Sequence, residues 1–376
     1  MKFLLISPKN RTVYNFRGEL VREIEALGYE VVVTGPDQTD VDKIEALGAR
    51  FIEIPMNKTG TSIKSDLKYC RALKKLMRQE KPDATLGYTV KPVIYGSIAA
   101  KLAGVKNINS MITGGGYTFI ATTPKARVLG LIVRSLYRVG LGVSDRVIFQ
   151  NTDDRDEFTS RHLVSADKCR VVNGSGVDTE RFKPVPLPDA PSFFMLSRLL
   201  KSKGVGEYLE AARLVKKDFP EVLFFLLGKI ETDMQDALPE DYIRSFEADG
   251  TVERFEETSE VRPYYGQCGV YVLPSYREGT PRTVLEAMAM GRPILTTDTQ
   301  GCRSTVINGE TGFLVPTRDV ESLAEKIRWF IKNWNRIPEM GEKGRRYCEE
   351  KYDVRKVNAA MLRFMGLVKG KEEHEK

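Results

Sequence analysis

Through the first half of the chain, short apolar runs recur at 2–7, 30–34, 49–54, 84–88, 107–112 and 146–150. Each is followed by a longer stretch whose apolar positions fall at helical spacing. Short continuous runs of this kind read as strands buried on both faces, and their alternation with helices predicts a parallel sheet covered on both sides. At 183–191, KPVPLPDAP places four prolines in nine residues, which neither a helix nor a central strand accepts. The rhythm then restarts at 193–196, 222–227, 252–255, 270–273 and 293–296. The expected fold is therefore α/β, with two doubly wound, Rossmann-like parallel-sheet domains facing each other across a cleft. The expected boundaries are 1–183 and 192–350, joined by a linker at 184–191. An amphipathic helix at 351–368 follows, expected to pack back on the first domain, and then a polar tail at 369–376 expected to be disordered. In such sheets ligands bind beyond the carboxyl ends of the strands.

Composition narrows the class. With 376 residues, 41% hydrophobic and 29% charged, the chain is neither disordered nor fibrous. Its five cysteines are odd in number, scattered, and form no CxxC pair, so neither a disulfide framework nor a thiolate metal site is expected, and the cytoplasm is the expected compartment. No apolar run reaches the length of a bilayer span, and the one at the amino terminus is too short for a signal peptide.

The net charge of +7 is one-sided. Residues 1–180 carry 27 basic against 20 acidic side chains, and residues 51–150 carry 16 against 5. Such an excess attracts a polyanion or an anionic membrane face. Within 123–145, Arg127, Arg134 and Arg138 share one face of an otherwise apolar helix. That pattern suits a helix lying in a membrane interface and equally a core helix with three surface arginines. No nucleic-acid-binding motif accompanies the charge.

Two acidic pairs, Asp40/Asp42 and Asp154/Asp156, match the DxD spacing of metal-dependent sugar-transfer sites, but the second follows Asn151 and Thr152 and reads as a capped helix start. The only histidines are His162 and His374, so a histidine metal site or a Ser-His-Asp triad is not expected. The chemistry concentrates in the second half. In FMLSRLLKSKG, Arg198 and Lys203 stand between a strand's carboxyl end and a helix start, a setting for a diphosphate. In VLPSYREGTPRTVLEAMAMG, Glu278 lies in a loop beyond the next strand and Glu286 in a helix beginning near Thr283. Carboxylates in these places can accept hydrogen bonds from sugar hydroxyls and from a ribose diol.

PSYREG followed by TPRTVLEAMAMGRPIL, with SRLLKSKG, NGSGVDTERFKP and INGETGFLV in this order, resembles family 4 of the retaining glycosyltransferases over essentially the whole chain. The resemblance implies the two-domain GT-B fold, a nucleotide-diphosphate sugar as donor, retention of the anomeric configuration, and no metal or other cofactor. It casts Arg198 and Lys203 as partners of the departing diphosphate, Glu278 as holder of the donor sugar and Glu286 of the ribose, so that Glu278, Arg198 and Lys203 are the catalytic set. Gly279, Thr280, Pro281 and Thr283 would line the donor with them. Many members have Glu-Gly-Phe-Gly where this chain has Glu278-Gly279-Thr280-Pro281, and Pro281 removes one backbone N–H. Many also have a histidine where this chain has Gly114, Gly115 and Gly116, a triplet that lets backbone approach a sugar.

These departures, with RTVYNFR at 11–17 and the basic apolar helix, resemble a bacterial subgroup. Its members add GalNAc or another hexose derivative to a sugar on undecaprenyl diphosphate. In that reading Lys9, Arg11, Asn15 and Arg17 lie in the first strand–helix loop and meet the acceptor diphosphate, while Arg127, Arg134 and Arg138 face an anionic membrane. The expected site of action is the inner face of the cell membrane. The competing classes are a UDP-GlcNAc 2-epimerase, a dinucleotide oxidoreductase and a non-enzymatic membrane-associated protein. This chain lacks the histidine placement that the first would need and the GxGxxG of the second, and the third gives no reason for the Glu278, Glu286, Arg198 and Lys203 set.

Overall fold

The six apolar runs of the first half become strands, followed by a seventh, in the computed structural model, which describes residues 1–57, 62–114, 124–232, 234 and 236–368. They are β1 (Lys2–Ile6), β2 (Glu30–Gly35), β3 (Arg50–Glu53), β4 (Ala84–Tyr88), β5 (Asn107–Ile112), β6 (Arg146–Phe149) and β7 (Cys169–Val171). All pair in parallel, in the order β3-β2-β1-β4-β5-β6-β7. Alternation along β1 divides the core. Phe3 and Leu5 pack with Leu20, Val21 and Ile24 on one face, and Leu4 and Ile6 pack with Tyr69, Leu73 and Met77 on the other.

The second half forms β8 (Ser192–Leu196), β9 (Leu223–Leu227), β10 (Glu253–Phe255), β11 (Val270–Leu273), β12 (Ile294–Thr297) and β13 (Gly312–Val315), again all parallel, in the order β10-β9-β8-β11-β12-β13. Neither β7 nor β13 was expected from the sequence. Both are short and follow turns.

The chain divides into two units, Met1–Ser175 with Val354–Lys376, and Gly176–Asp353. The division falls ahead of the proline-rich stretch, which is therefore not a free linker. Arg292, 1% exposed, donates from its guanidinium to the carbonyls of Val185 and Pro186, and also to those of Tyr265, Gly266 and Met290. Prolines lack N–H donors but keep their carbonyls, and the buried arginine uses them to fasten 184–191 to the second unit.

Helix Val354–Phe364 belongs to the first unit. Val357, Met361, Leu362 and Met365 complete the core beside helix Gly18–Ala26 and on β6, Asn358 Nδ2 donates to Glu23 Oε1 at 2.9 Å, and Asn107 Nδ2 donates to the Met365 carbonyl at 2.8 Å. The tail beyond Val368 lies outside the described residues. Among the described residues no helix is long and apolar enough to cross a membrane.

Candidate functional site

In the second unit the switch in strand order falls between β8 and β11, and the loops beyond their carboxyl ends are tied to each other. After β8 the chain makes a 3-10 turn at Lys201–Lys203 and enters helix Val205–Lys216 through Gly204, whose φ is 73°. A Cβ at Gly204 would stand 2.1 Å from the Pro274 carbonyl oxygen, so only glycine lets this turn pass against the exit of β11. The Tyr276 amide donates to the Ser202 carbonyl at 2.9 Å, and Thr297 Oγ1, at the end of β12, donates to the Ser275 carbonyl. Gly301, with φ 78°, closes the ring. A Cβ there would lie 2.4 Å from the Glu278 carbonyl oxygen and 2.3 Å from that of Gly279.

On this frame Lys203 Nζ donates to Glu278 Oε1 at 2.5 Å, with side chains 22% and 15% exposed. The Glu278 amide donates to the Gln300 carbonyl at 3.1 Å. Two groups 75 residues apart in sequence thus meet at the strand ends, an ammonium suited to a phosphate and a carboxylate suited to hydroxyls. Arg198 leaves the same strand end but is exposed, with Nη1 3.4 Å from Met234 Sδ.

Helix Arg282–Ala289 starts one residue earlier than expected, with Pro281 at its N-cap. Glu286, one turn in, is almost fully enclosed. Arg282 Nε donates to its Oε1 at 3.3 Å, and the buried Tyr265 hydroxyl donates to its Oε2 at 3.2 Å and to the Thr283 carbonyl at 2.9 Å. Burial pushes the Glu286 carboxyl above its ordinary range, against the opposing pull of Arg282 and Tyr265. Sequence reasoning did not find Tyr265, because nothing local in RPYYGQ signals a partner 21 residues away. Gly279 is buried, and Thr280 Oγ1 donates to the Gly279 carbonyl at 3.0 Å.

The first-unit candidates are placed differently. The supposed loop after β1 is helix Asn10–Phe16, capped by Lys9 in extended backbone. Lys9, Arg11 and Asn15 are exposed, whereas Arg17 is 3% exposed. Its guanidinium lies 5.6 Å from the Tyr88 ring centroid, and its Nη1 donates to the Phe16 carbonyl. The Tyr88 hydroxyl is engaged in turn, 2.7 Å from Ser7 Oγ and 2.8 Å from Thr12 Oγ1. Arg17 thus braces the end of this helix from inside, which corrects its placement on an acceptor-facing loop. Gly114 follows β5 with φ 127°, while Gly115 and Gly116 lie outside the described residues.

Of the arginine stripe, Arg138 is exposed and has partners within the unit. Arg138 Nε donates to the His162 carbonyl at 2.9 Å and Nη2 to that of Arg161 at 3.3 Å, Arg134 is half-buried, and the Arg127 side chain lies outside the described residues. Asn151 Oδ1 accepts from the Asp154 amide at 2.7 Å, so the second acidic pair begins a capped helix, Thr152–Ser160.

Residues 177–347 match the family described as glycosyl transferases group 1, and residues 2–151 match glycosyl transferase 4-like. A Campylobacter jejuni N,N'-diacetylbacillosaminyl-diphospho-undecaprenol alpha-1,3-N-acetylgalactosaminyltransferase is 25% identical over 347 residues, 89% of this chain and 90% of that one. An Escherichia coli UDP-Gal:alpha-D-GlcNAc-diphosphoundecaprenol alpha-1,3-galactosyltransferase is 26% identical over 292 residues, 74% of each. A Rickettsia africae glycosyltransferase structure superposes with a TM-score of 0.79 at 18% identity, over 97% of this chain and 98% of that one. Anabaena HepE in complex with UDP and glucose gives 0.77 at 16%, over 98% and 100%. With the two matched regions lying one in each unit, the chain belongs to the group 1, family 4-like glycosyltransferases of the GT-B fold.

Proposed function

We propose that this glycosyltransferase moves a hexose or N-acetylhexosamine, GalNAc foremost, from a UDP-sugar to a sugar carried on undecaprenyl diphosphate, with retention and without a metal. The reaction belongs to bacterial glycan assembly at the inner face of the cell membrane. The observation that carries the donor side is the Lys203–Glu278 pair at the carboxyl ends of β8 and β11. The acceptor class rests on the activities for which the Campylobacter and Escherichia relatives are named.

The donor diphosphate takes over the Lys203 ammonium, and the released Glu278 carboxylate accepts from the donor sugar's hydroxyls. Glu286, held by Tyr265 and Arg282, keeps a lone pair for the ribose. As the bond from the anomeric carbon to the diphosphate oxygen breaks, negative charge grows on the diphosphate, where Lys203 and the exposed Arg198 counter it. The acceptor hydroxyl bonds to the anomeric carbon on the face the diphosphate leaves and passes its proton to a diphosphate oxygen. The protein's contribution is position and electrostatics. Gly114 on the donor side, and Lys9, Arg11 and Asn15 on the acceptor side, are the first-unit contacts of this reading.

The test is UDP release in EDTA, screening UDP-GalNAc, UDP-GlcNAc, UDP-Gal and UDP-Glc with a polyprenyl-diphosphate-linked sugar. Release from one donor that depends on the lipid-linked acceptor is expected. Release that needs added divalent metal, or no release from any donor, overturns the reading.

A further inference from the structure

The first six strands of the first sheet run in the same order as the six of the second, so β1 and β4 stand where β8 and β11 stand. The order of the first sheet therefore switches between β1 and β4, the place where a ligand sits beyond the strand ends. The chain leaves β4 through Thr89, whose φ of 68° is a left-handed conformation that a β-branched residue rarely adopts. A Cβ at Gly87 would stand 2.7 Å from the Pro92 carbonyl oxygen, and the Val93 amide donates to the Thr89 carbonyl at 3.0 Å. The chain thus folds back at once into a π-helical turn at Pro92–Gly96.

This turn brings two side chains to a third. Lys91 Nζ donates to Asp66 Oδ1 at 2.6 Å, with side chains 13% and 12% exposed, and the Tyr95 hydroxyl donates to Asp66 Oδ2 at 3.0 Å. Asp66 stands in the first turn of helix Ile63–Glu80, at the carboxyl ends of the strands, and Lys91 Nζ also donates to the Asn57 carbonyl at 2.7 Å. Burial, with Asp66 beside it, pushes the Tyr95 hydroxyl well above its ordinary range, so it stays a donor. One turn further along the helix Tyr69 is buried, and its hydroxyl has no hydrogen-bond partner among the described residues, an uncommon state for a buried polar group. The same three kinds of group meet at the donor loops. There Lys203 meets Glu278, and Tyr265, from helix Arg262–Gly266 ahead of β11, donates to Glu286 in the helix after it. In the first unit Tyr95, after β4, donates to Asp66 in the helix ahead of it. The first unit places on one carboxylate what the second spreads over two.

We propose that Asp66 accepts a hydrogen bond from a hydroxyl of the acceptor sugar, with Lys91 and Tyr95 as the residues that position it. The inference rests on the proposed function, which puts the acceptor on this unit, and it divides that acceptor between two sets of groups. Each Asp66 oxygen has one donor and keeps a lone pair. A sugar hydroxyl can donate to that lone pair, whereas a diphosphate at neutral pH has no proton to give and is repelled by the carboxylate. The diphosphate therefore falls to the exposed Lys9 and Arg11, and the sugar to Asp66. The side-chain exposure of Asp66 is close to the 15% of Glu278, the carboxylate assigned to the donor sugar.

The test compares the affinity of the full chain for short-chain polyprenyl diphosphates carrying GlcNAc, GalNAc or glucose with its affinity for the same polyprenyl diphosphate without a sugar. Wild type should bind one of the sugar-bearing ligands about tenfold more tightly than the bare diphosphate, and Asp66→Asn, which keeps the shape and loses the charge, should bind the two alike. Tyr95→Phe keeps the ion pair and decides the matter if the Asp66 variant does not fold. It should raise KM for the lipid-linked acceptor severalfold with kcat and the donor KM unchanged, a split that mere loosening of the unit would not give. UDP affinity should be unchanged in both variants. Wild type that ignores the sugar, an Asp66 variant that keeps the preference, or a Tyr95 variant with unaltered acceptor KM would overturn the proposal. UDP release measured in parallel separates the two readings. A sugar preference that Asp66→Asn abolishes, without release from any donor, sinks only the reaction, and turnover by Asp66→Asn at the wild-type acceptor KM sinks only the Asp66 site.

Discussion

The two units share a sheet plan and differ in how they hold their functional side chains. In the second, one continuous core with Phe193, Phe194, Tyr265 and Tyr271 at its centre runs under the donor loops, and Lys203, Glu278 and Glu286 each have a defined partner. In the first, the core is split between the sheet's faces, and Arg11 and Asn15 project from a single short helix with Lys9 just ahead of it. The difference teaches where precision is needed. In the proposed reaction a small donor breaking a bond needs fixed charges, whereas a surface that meets a lipid-borne acceptor needs reach and net charge more than exact placement.

The largest effect that would break this contrast lies in the donor pair. Lys203→Ala and Glu278→Ala should each lower kcat by about a hundredfold to a thousandfold with the thermal midpoint kept, as steady-state UDP release would show. A loss of less than about tenfold would put catalysis elsewhere. Next is Arg292→Met, which strands the carbonyls now fastening 184–191. The second unit should lose about 3 kcal/mol or more in urea unfolding. An unchanged midpoint would mean that the proline-rich stretch is held by its prolines alone.

Tyr265→Phe is smaller and separates positioning from chemistry. Losing a hydrogen bond to a carboxylate is worth about 1.5 kcal/mol, so KM for the donor should rise by roughly tenfold while kcat changes little. If kcat fell instead with KM unchanged, Glu286 would be serving the bond-breaking step.

The smallest effect sharpens the comparison through pH. Glu286 has its carboxyl raised by burial, so its contribution to stability is present below the ordinary value of 4.5 and lost as pH rises through the raised one. Glu80, in the first unit, is held down to about 2 by Arg50 and Lys2, so its contribution is present above 4.5 and lost as pH falls toward about 2. Thermal melts across that range should show Glu286→Gln removing the first trend and Glu80→Gln the second. Each change should be no more than about 1 kcal/mol. Matching trends in the two variants would erase the opposition.

Much of this was legible along the chain because it is local. Eleven of the strands coincide with apolar runs, and the residues now forming the donor pair stood out as charged groups beside strand ends. What escaped depends on contacts distant in sequence. KPVPLPDAP correctly excluded helix and strand, but nothing in it announces Arg292. RTVYNFR reads as a loop until Tyr88, on β4, supplies the ring against which Arg17 packs. The arginines at 134 and 138 align on one face as spacing requires, yet which face is wet was decided by Val93 and Ile94 on a neighbouring segment. β7 and β13, three and four residues long, carry too little pattern to stand apart from the turns before them.

The return of helix Val354–Phe364 to the first unit makes that unit discontinuous along the chain, whereas the second, Gly176–Asp353, is continuous. Val357, Met361, Leu362 and Met365 fill the first core beside helix Gly18–Ala26 and on β6. A chain cut ahead of Val354 would therefore hold every residue of the second unit and leave apolar surface open on the first, so truncation at one place would spare one unit and wound the other.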